Sequence, residues 1–261
     1  MSLHVEVHGR GAAPLVMLHG WAMHGGVLQP LVDALAEQCT MYVVDLPGHG
    51  YSRDCGLPLE PHACAAAIAD VTPPALWLGW SLGGLIALTA ALDMPQQVHG
   101  LAMLCATPKF VRGEGWPHGG DASLVQQLAT DLETDYDATI ERFLALEAMG
   151  SDDPRAELRH LRALVFARGE PDVRVLQEGI RILQDSDHRA SLPELGLPSA
   201  WIAGHRDRLV PSQAMQWSAS QCGGSYTDLQ HAGHAPFFGH ADAVVHALQP
   251  LLTSTPSEQT R

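Results

Sequence analysis

Ser81 lies in "GWSLGG", where the apolar run "LWLGW" ends and the helix-like run "LIALTAALDM" begins. Glycine stands two places before it and two places after it. This is the G-x-S-x-G spacing of a nucleophile elbow, a sharp strand-to-helix turn that presents a serine hydroxyl above a sheet. The spacing has a physical cause. Around a serine held in a strained backbone conformation, side chains at those two positions collide with the neighbouring strand and helix. Gly84 eases helix–strand packing in the same way. The competing reading is a plain glycine turn that happens to contain a serine.

An activated serine needs a base, and the base needs an orienting group. For such an elbow the chain order is serine, acid, histidine. The late segment "QHAGHAPFFGH" offers His231, His234 and His240. His234 is the expected base, because it follows a glycine in a tight turn beyond a strand and precedes the apolar "APFF" that can dock the loop. His231 and His240 are expected to bond locally or to face solvent. A metal site is the rival reading of this cluster, with no carboxylate-rich partner or i, i+4 helical spacing behind it. The acid is assigned to Asp207, at the end of the strand-like "AWIAG" and before a proline-started helix. Asp228 competes but lies inside the strand leading to His234. Asp45 precedes the serine and is read as shaping the "LPGHG" turn.

The oxyanion formed at a carbonyl must be met by preorganised N–H groups. The amide of Leu82, next after the serine, is one. "LHGWAMHGG" supplies the other, with His19–Gly20 turning the chain and Trp21 as donor.

These residues have to be held by elements. Strand-like runs, "LHVEVHG", "APLVMLHG", "CTMYVVD", "PALWLGW", "VHGLAMLCA", "PSAWIAGHRD" and "SYTDLQHAGH", alternate with helical patterns at 27–38, "HACAAAIADV", "LGGLIALTAALDM" and 241–252. Such alternation implies a parallel sheet covered on both faces. Residues 121–187 carry helical periodicity with no convincing strand. The expected organisation is an α/β core over 1–107 and 190–255, a helical insertion over 108–189, and a disordered tail over 256–261.

Composition bounds the function. The chain has 261 residues, 46% of them hydrophobic, which suffices for a sizeable core. A net charge of −14 argues against broad nucleic-acid binding and against attachment to anionic membranes. The five cysteines are scattered and never spaced C-x-x-C, so a disulfide framework or zinc ribbon is not expected. With no signal-peptide pattern and no bilayer-length apolar run, a cytoplasmic protein, monomeric and without cofactor, is expected.

Taken together, "LHGW", "DLPGHGYS", "GWSLGG", "GHRDRLVP" and "HAGHAPF" resemble the α/β-hydrolase family over essentially the whole chain. "GWSLGG", the linker "ATPKFVRGEGWP" and "TIERFLALEAMG" are further similar to the pimeloyl-[acyl-carrier-protein] methyl ester esterases of biotin biosynthesis. The resemblance implies an α/β-hydrolase fold, a mostly parallel sheet flanked by helices with the insertion as a lid. It implies a serine carboxylesterase that releases methanol from a methyl-pimeloyl chain on an acyl-carrier protein. It also implies substrate contacts from Trp21, Leu82 and Phe143. Trp80, Trp116 and Met149 can add to that pocket, but a core role is the expectation for these three. A broad short-chain carboxylesterase, a C–C bond hydrolase, or a non-catalytic ligand receptor on the same scaffold would share the fold.

Seven of the 15 basic residues fall between 142 and 181, namely Arg142, Arg155, Arg159, Arg162, Arg168, Arg174 and Arg181. Seven acids share that window, so it is neutral and the remainder carries the whole −14. Arg155, Arg159 and Arg162 share one helical face by spacing. A solvated surface and a docking patch for an acidic carrier explain this equally well. The family resemblance favours docking and points to Arg142, Arg155 and Arg159. One further position of the family's basic set falls near Asp137 or Ala138, which are not basic.

Overall fold

The computed structural model describes residues 2–254; the tail expected over 256–261 lies outside the described residues. Seven strands form one sheet: β1 (Val5–His8), β2 (Ala13–Leu18), β3 (Cys39–Val44), β4 (Ala75–Trp80), β5 (Val98–Leu104), β6 (Ser199–Gly204) and β7 (Ser225–Leu229). Their spatial order is β1-β3-β2-β4-β5-β6-β7. Every pairing is parallel except that of the edge strand β1 with β3.

The central strands read as continuous apolar runs because both faces are covered, the rule for parallel sheets. All six residues of β4 and of β6 are buried. α1 (Gln29–Leu35) packs with α9 (Phe237–Ser254), and α2 (Pro61–Ala69) packs with α3 (Leu82–Asp93). α8 (Ser212–Cys222) follows Pro211 and packs on β6. The helix read at 27–38 begins instead as a tight 3-10 turn over Gly25–Leu28, and α1 ends at Leu35. A short helical turn from Phe237 leads into the last helix across a kink at His240, so the helix proper runs from about Ala241, where its pattern begins.

Between β5 and β6 the chain places α4 (Ala122–Thr134), α5 (Tyr136–Ala148), α6 (Pro154–Val165) and α7 (Val173–Asp185). Each starts on an aspartate whose side chain accepts a backbone N–H of its first turn: Asp121, Asp135, Asp153 and Asp172. Such caps satisfy otherwise orphaned donors and fix where each helix starts.

The insertion is tied to the loops after β2 and β3. Trp21 Nε1 donates to Leu176 O at 2.8 Å, and His24 Nε2 lies 2.8 Å from Leu164 O. Arg168, just beyond α6, reaches Glu6 at 2.7 Å and Asp45 at 3.2 Å. Asp45 also accepts the amides of Gly25 and Tyr51, so it shapes two turns at once. Among the described residues, no helix is long and apolar enough to cross a membrane.

Candidate active site

Ligand sites of parallel sheets lie beyond the carboxyl ends of the strands. Here the loops after β2, β4, β6 and β7 converge. Ser81 ends β4 with φ +55° and ψ −120°. The other non-glycine residues with positive φ among those described are Ala22 and Cys105, beyond the ends of β2 and β5. Backbone strain of this kind, worth about 1–3 kcal/mol per residue, gathers at functional sites.

The glycines explain how Ser81 can hold that conformation. A Cβ on Gly79 would fall 2.3 Å from Gly83 O, and one on Gly83 would fall 2.6 Å from the carbonyls of Leu18 and His19. A Cβ on Gly84 would meet that of Ala106 at 2.3 Å, the close packing expected there.

The three side chains singled out in sequence meet. His234 Nε2 lies 2.9 Å from Ser81 Oγ, and His234 Nδ1 lies 2.7 Å from Asp207 Oδ2. Asp207 Oδ1 accepts the amides of Leu209 and Val210, so its carboxylate cannot turn away. All three are buried. Asp207 therefore takes Nδ1–H and leaves Nε2 free to accept the serine proton. The loop carrying His234 is docked from behind, where Trp80 Nε1 donates to His234 O and Phe237 packs edge-on against Trp80.

The competing residues are used elsewhere. His231 Nδ1 accepts from Arg206, His240 faces Asp152 at 3.4 Å, and Asp228 bonds His205. The structure does not gather the three late histidines. Cys105, Asp207 and His234 bring ligand-type atoms within 4.8 Å of one another. Both imidazole nitrogens are engaged there, by Asp207 and Ser81, and burial pushes the Cys105 thiol well up, so it stays protonated and donates toward Gly233 O.

Leu82 opens α3, so its N–H has no intrahelical acceptor. Gly20 abuts the nucleophile, since a Cβ there would fall 3.2 Å from Ser81 Cβ; the next amide along is that of Trp21. The side chain of His19, which spacing alone did not single out, sets this loop. Its Nδ1–H donates to Gly20 O while Nε2 accepts from Leu46 N. That pairing needs the neutral ring, and burial, with His49 beside it, pushes His19 down to about 3.

Ser81 opens into a cavity of about 70 Å³ lined by Phe110, Leu124, Leu128, Phe143, Leu183 and Leu209, with Arg208 and Asp121 also at its wall. Phe143 is thus in place, and Trp21 packs edge-on against it at 4.6 Å. Leu82 is fully buried. Trp80 and Trp116 are core, but Met149, expected there too, is 46% exposed on the turn after α5. The apolar residues of α4 and α7 that line the cavity were not legible as a pocket, because an apolar stripe on a helix has the same spacing whether it faces a core or a ligand.

The arginines divide. Arg155 and Arg159 are exposed on α6 and make no ion pair among the described residues, whereas Arg142 is tied to Asp131 at 2.7 Å and Arg162 to Glu141. Arg168 is the clamp on Asp45 and so belongs to no surface patch.

A model of the α/β hydrolase family matches residues 15–247. The chain is 54% identical over 248 residues to a pimeloyl-[acyl-carrier protein] methyl ester esterase of Stenotrophomonas maltophilia, covering 95% of each protein. It is 52% identical over 255 residues to the protein of that name from Xanthomonas oryzae pv. oryzae, covering 97% of this chain and all of the relative. Among solved structures, an esterase from Exiguobacterium antarcticum superposes with a TM-score of 0.86 at 23% identity, covering 97% of this chain and 96% of that one. An enol-lactonase from Burkholderia xenovorans gives 0.82 at 19%, covering 97% and 96%. At that identity these two speak for the fold alone.

Proposed function

This chain belongs to the α/β-hydrolase family, and we propose that it is a serine carboxylesterase removing the methyl group from pimeloyl-[acyl-carrier protein] methyl ester in biotin synthesis. The observation that carries the reading is the pairing of two facts. Relatives bearing that name are 49–54% identical over nearly the whole chain, and Ser81, His234 and Asp207 lie within hydrogen-bond reach in series.

In the mechanism, His234 Nε2 takes the Ser81 proton as Oγ attacks the ester carbonyl. Asp207 holds the ring and stabilises the imidazolium. The amides of Trp21 and Leu82 meet the oxyanion. Collapse of the tetrahedral adduct expels methoxide, which takes the proton from His234 and leaves as methanol. Water, deprotonated by the same nitrogen, then hydrolyses the acyl-enzyme and frees the ω-carboxylate. The steps use side chains and backbone amides of this chain together with water, and no cofactor enters the reading.

The cavity at Ser81 is walled by the insertion, through Leu124 and Leu128 of α4, Phe143 of α5 and Leu183 of α7. The insertion thus acts as a lid over the acyl chain of the substrate. Arg155 and Arg159, with Arg142 at the edge, are the docking contacts for the acidic carrier. A cytoplasmic setting accords with five free thiols. The test is methanol release from methyl-pimeloyl carrier protein compared with free methyl esters, together with rescue of biotin-requiring cells that lack their own esterase. Turnover of free esters alone, without rescue, would leave only a general esterase.

A further inference from the structure

Two acids of the insertion lie where acids are costly. Glu147, near the end of α5, is fully buried, and among the described residues neither of its carboxyl oxygens has a hydrogen-bond partner. Glu157, on α6, is 8% exposed, and its Oε1 is likewise without a partner. Neither meets a basic side chain among the described residues. A carboxylate placed as Glu147 is has neither solvent nor a donor nor a counter-ion among the described residues, so the neutral form is favoured. Burial pushes Glu147 well above the usual carboxylate range, and the charges of Glu157 and Asp207 push the same way. Burial raises Glu157 to about 7.

The turn between these two acids is wedged against both loops of the triad. Gly150 has φ +94°, and a Cβ there would fall 2.3 Å from the carbonyl of Arg206, the residue before Asp207. A Cβ on Gly233, the residue before His234, would fall 3.0 Å from Ser151 N and 3.1 Å from Met149 O. The acid loop and the histidine loop are thus set against one short segment, 149–151, with Glu147 and Glu157 on either side of it in the chain. A cavity of about 340 Å³ beside the wedge is lined by Ser151, Asp152, Glu157, His160, Gly233 and His240, which gives Glu157 a way to exchange protons with water. The other titratable neighbours are Asp207 and the Cys105 thiol on the inner side, and Asp152, Asp153, His160 and His240 around that cavity. Arg206 pairs with Asp152 at the rim of that cavity and reaches His231.

We propose that Glu147 is a positioning residue for the triad: kept neutral beside Glu157, it lets the 149–151 turn seat against the loops of Asp207 and His234, and ionisation of both acids unseats that turn and slows turnover. One negative charge is tolerated on Glu157, which borders the cavity. A second, on Glu147, has no solvent and faces both Glu157 and Asp207. Glu157 loses its proton to water through the cavity that it lines.

The sign follows from linkage. Unfolded, both acids ionise near 4.5, whereas the folded protein holds their protons to higher pH. The folded state therefore binds more protons in that window, and stability falls as pH rises from the unfolded value through about 7 and beyond.

The inference rests on the triad reading, so the test includes readouts that do not need it. The experiment records kcat/KM for p-nitrophenyl butyrate, the thermal midpoint and the infrared carbonyl band of protonated carboxyls, from pH 6 to about 9.5, for the parent, Glu147→Gln and Glu157→Gln. The parent is expected to lose about fivefold in kcat/KM on the alkaline side and to show a falling midpoint. Glu147→Gln, which keeps shape and stays neutral, is expected to hold its rate within about twofold over the same range and to lose a protonated-carboxyl band present in the parent at pH 7. Glu157→Gln removes the facing charge and moves the alkaline loss upward; it serves by itself should Glu147→Gln not fold. An alkaline limb identical in all the folded proteins, or no band at pH 7 assignable to Glu147, overturns the proposal. Absence of esterase activity in the parent, with the band and the midpoint behaving as stated, would instead count against the triad reading.

Discussion

Gly79 and Gly83 touch across the elbow: a Cβ on Gly79 would fall 2.3 Å from the carbonyl oxygen of Gly83. The clashing atoms are backbone, which cannot rotate aside. Gly79→Ala and Gly83→Ala are each expected to cost about 1–3 kcal/mol of stability, the range for forced overpacking, and to lower turnover by shifting Ser81. Gly239→Ala is the control, because nothing lies within 4 Å of a Cβ there. Denaturant unfolding of the three variants checks this; equal stability of all of them would contradict the packing argument.

Only one of the three late histidines touches the serine. His234→Ala should lose about 10³-fold or more in kcat/KM, and adding Ser81→Ala should cost little further, because the two act as a unit. His231→Ala and His240→Ala should stay within about tenfold of the parent, an indirect effect of ~1.4 kcal/mol. A His231→Ala protein as impaired as His234→Ala would shift the base assignment.

Arg168 couples the insertion to the core through a carboxylate with no exposure of its own. Its side chain is 13% exposed and that of Asp45 is 0% exposed. Removing one partner of such a pair leaves a buried charge, so Arg168→Ala should destabilise the fold by about 3 kcal/mol. Asp45→Asn should cost less in that variant than in the parent, since the ion pair is already broken there. Strictly additive losses in the double-mutant cycle would show that the two do not interact.

Carrier docking should discriminate among the arginines. Exposed ion pairs are worth about 0.2–1 kcal/mol each, so the triple variant of Arg142, Arg155 and Arg159 to alanine should lose roughly ten- to a hundredfold on carrier-linked ester. Arg142 already serves Asp131, so Arg155 and Arg159 should account for most of that loss. Added salt should depress carrier turnover and leave a small ester little affected. Equal losses on both substrates would mean a damaged insertion instead of a docking surface.

The site was legible in sequence where chemistry demands a particular residue at a particular spacing. The two glycines flanking Ser81, the aspartate ending one apolar strand and the histidine beyond the next were all visible as spacing, because a parallel sheet delivers its strand ends to one edge. The central strands were visible as short apolar runs because both faces of the sheet are covered, whereas β1 and β7 are more polar. What could not be read depends on which face of a helix meets what. Leu124 and Leu128 look like core until α4 is seen to roof the cavity, and Met149 looked like core but sits on an exposed turn. Glu147 and Glu157 read as two more charges of a neutral surface window, since burial of an acid leaves no mark on its neighbours in sequence. Arg168 counted toward the same surface until its partners, more than 120 residues away, placed it beside Asp45.

The most direct test of the account is methanol release from methyl-pimeloyl carrier protein by the parent and by Ser81→Ala. The alanine only shortens a side chain at the turn and should leave the fold intact. The parent is expected to release methanol and to show, after acid quench, the pimeloyl chain, its methyl group lost and the carrier protein still attached at its other end, esterified to Ser81. The variant should fall by roughly 10³-fold or more and carry no such adduct. A folded Ser81→Ala protein that still releases methanol at a rate near the parent's would contradict the account.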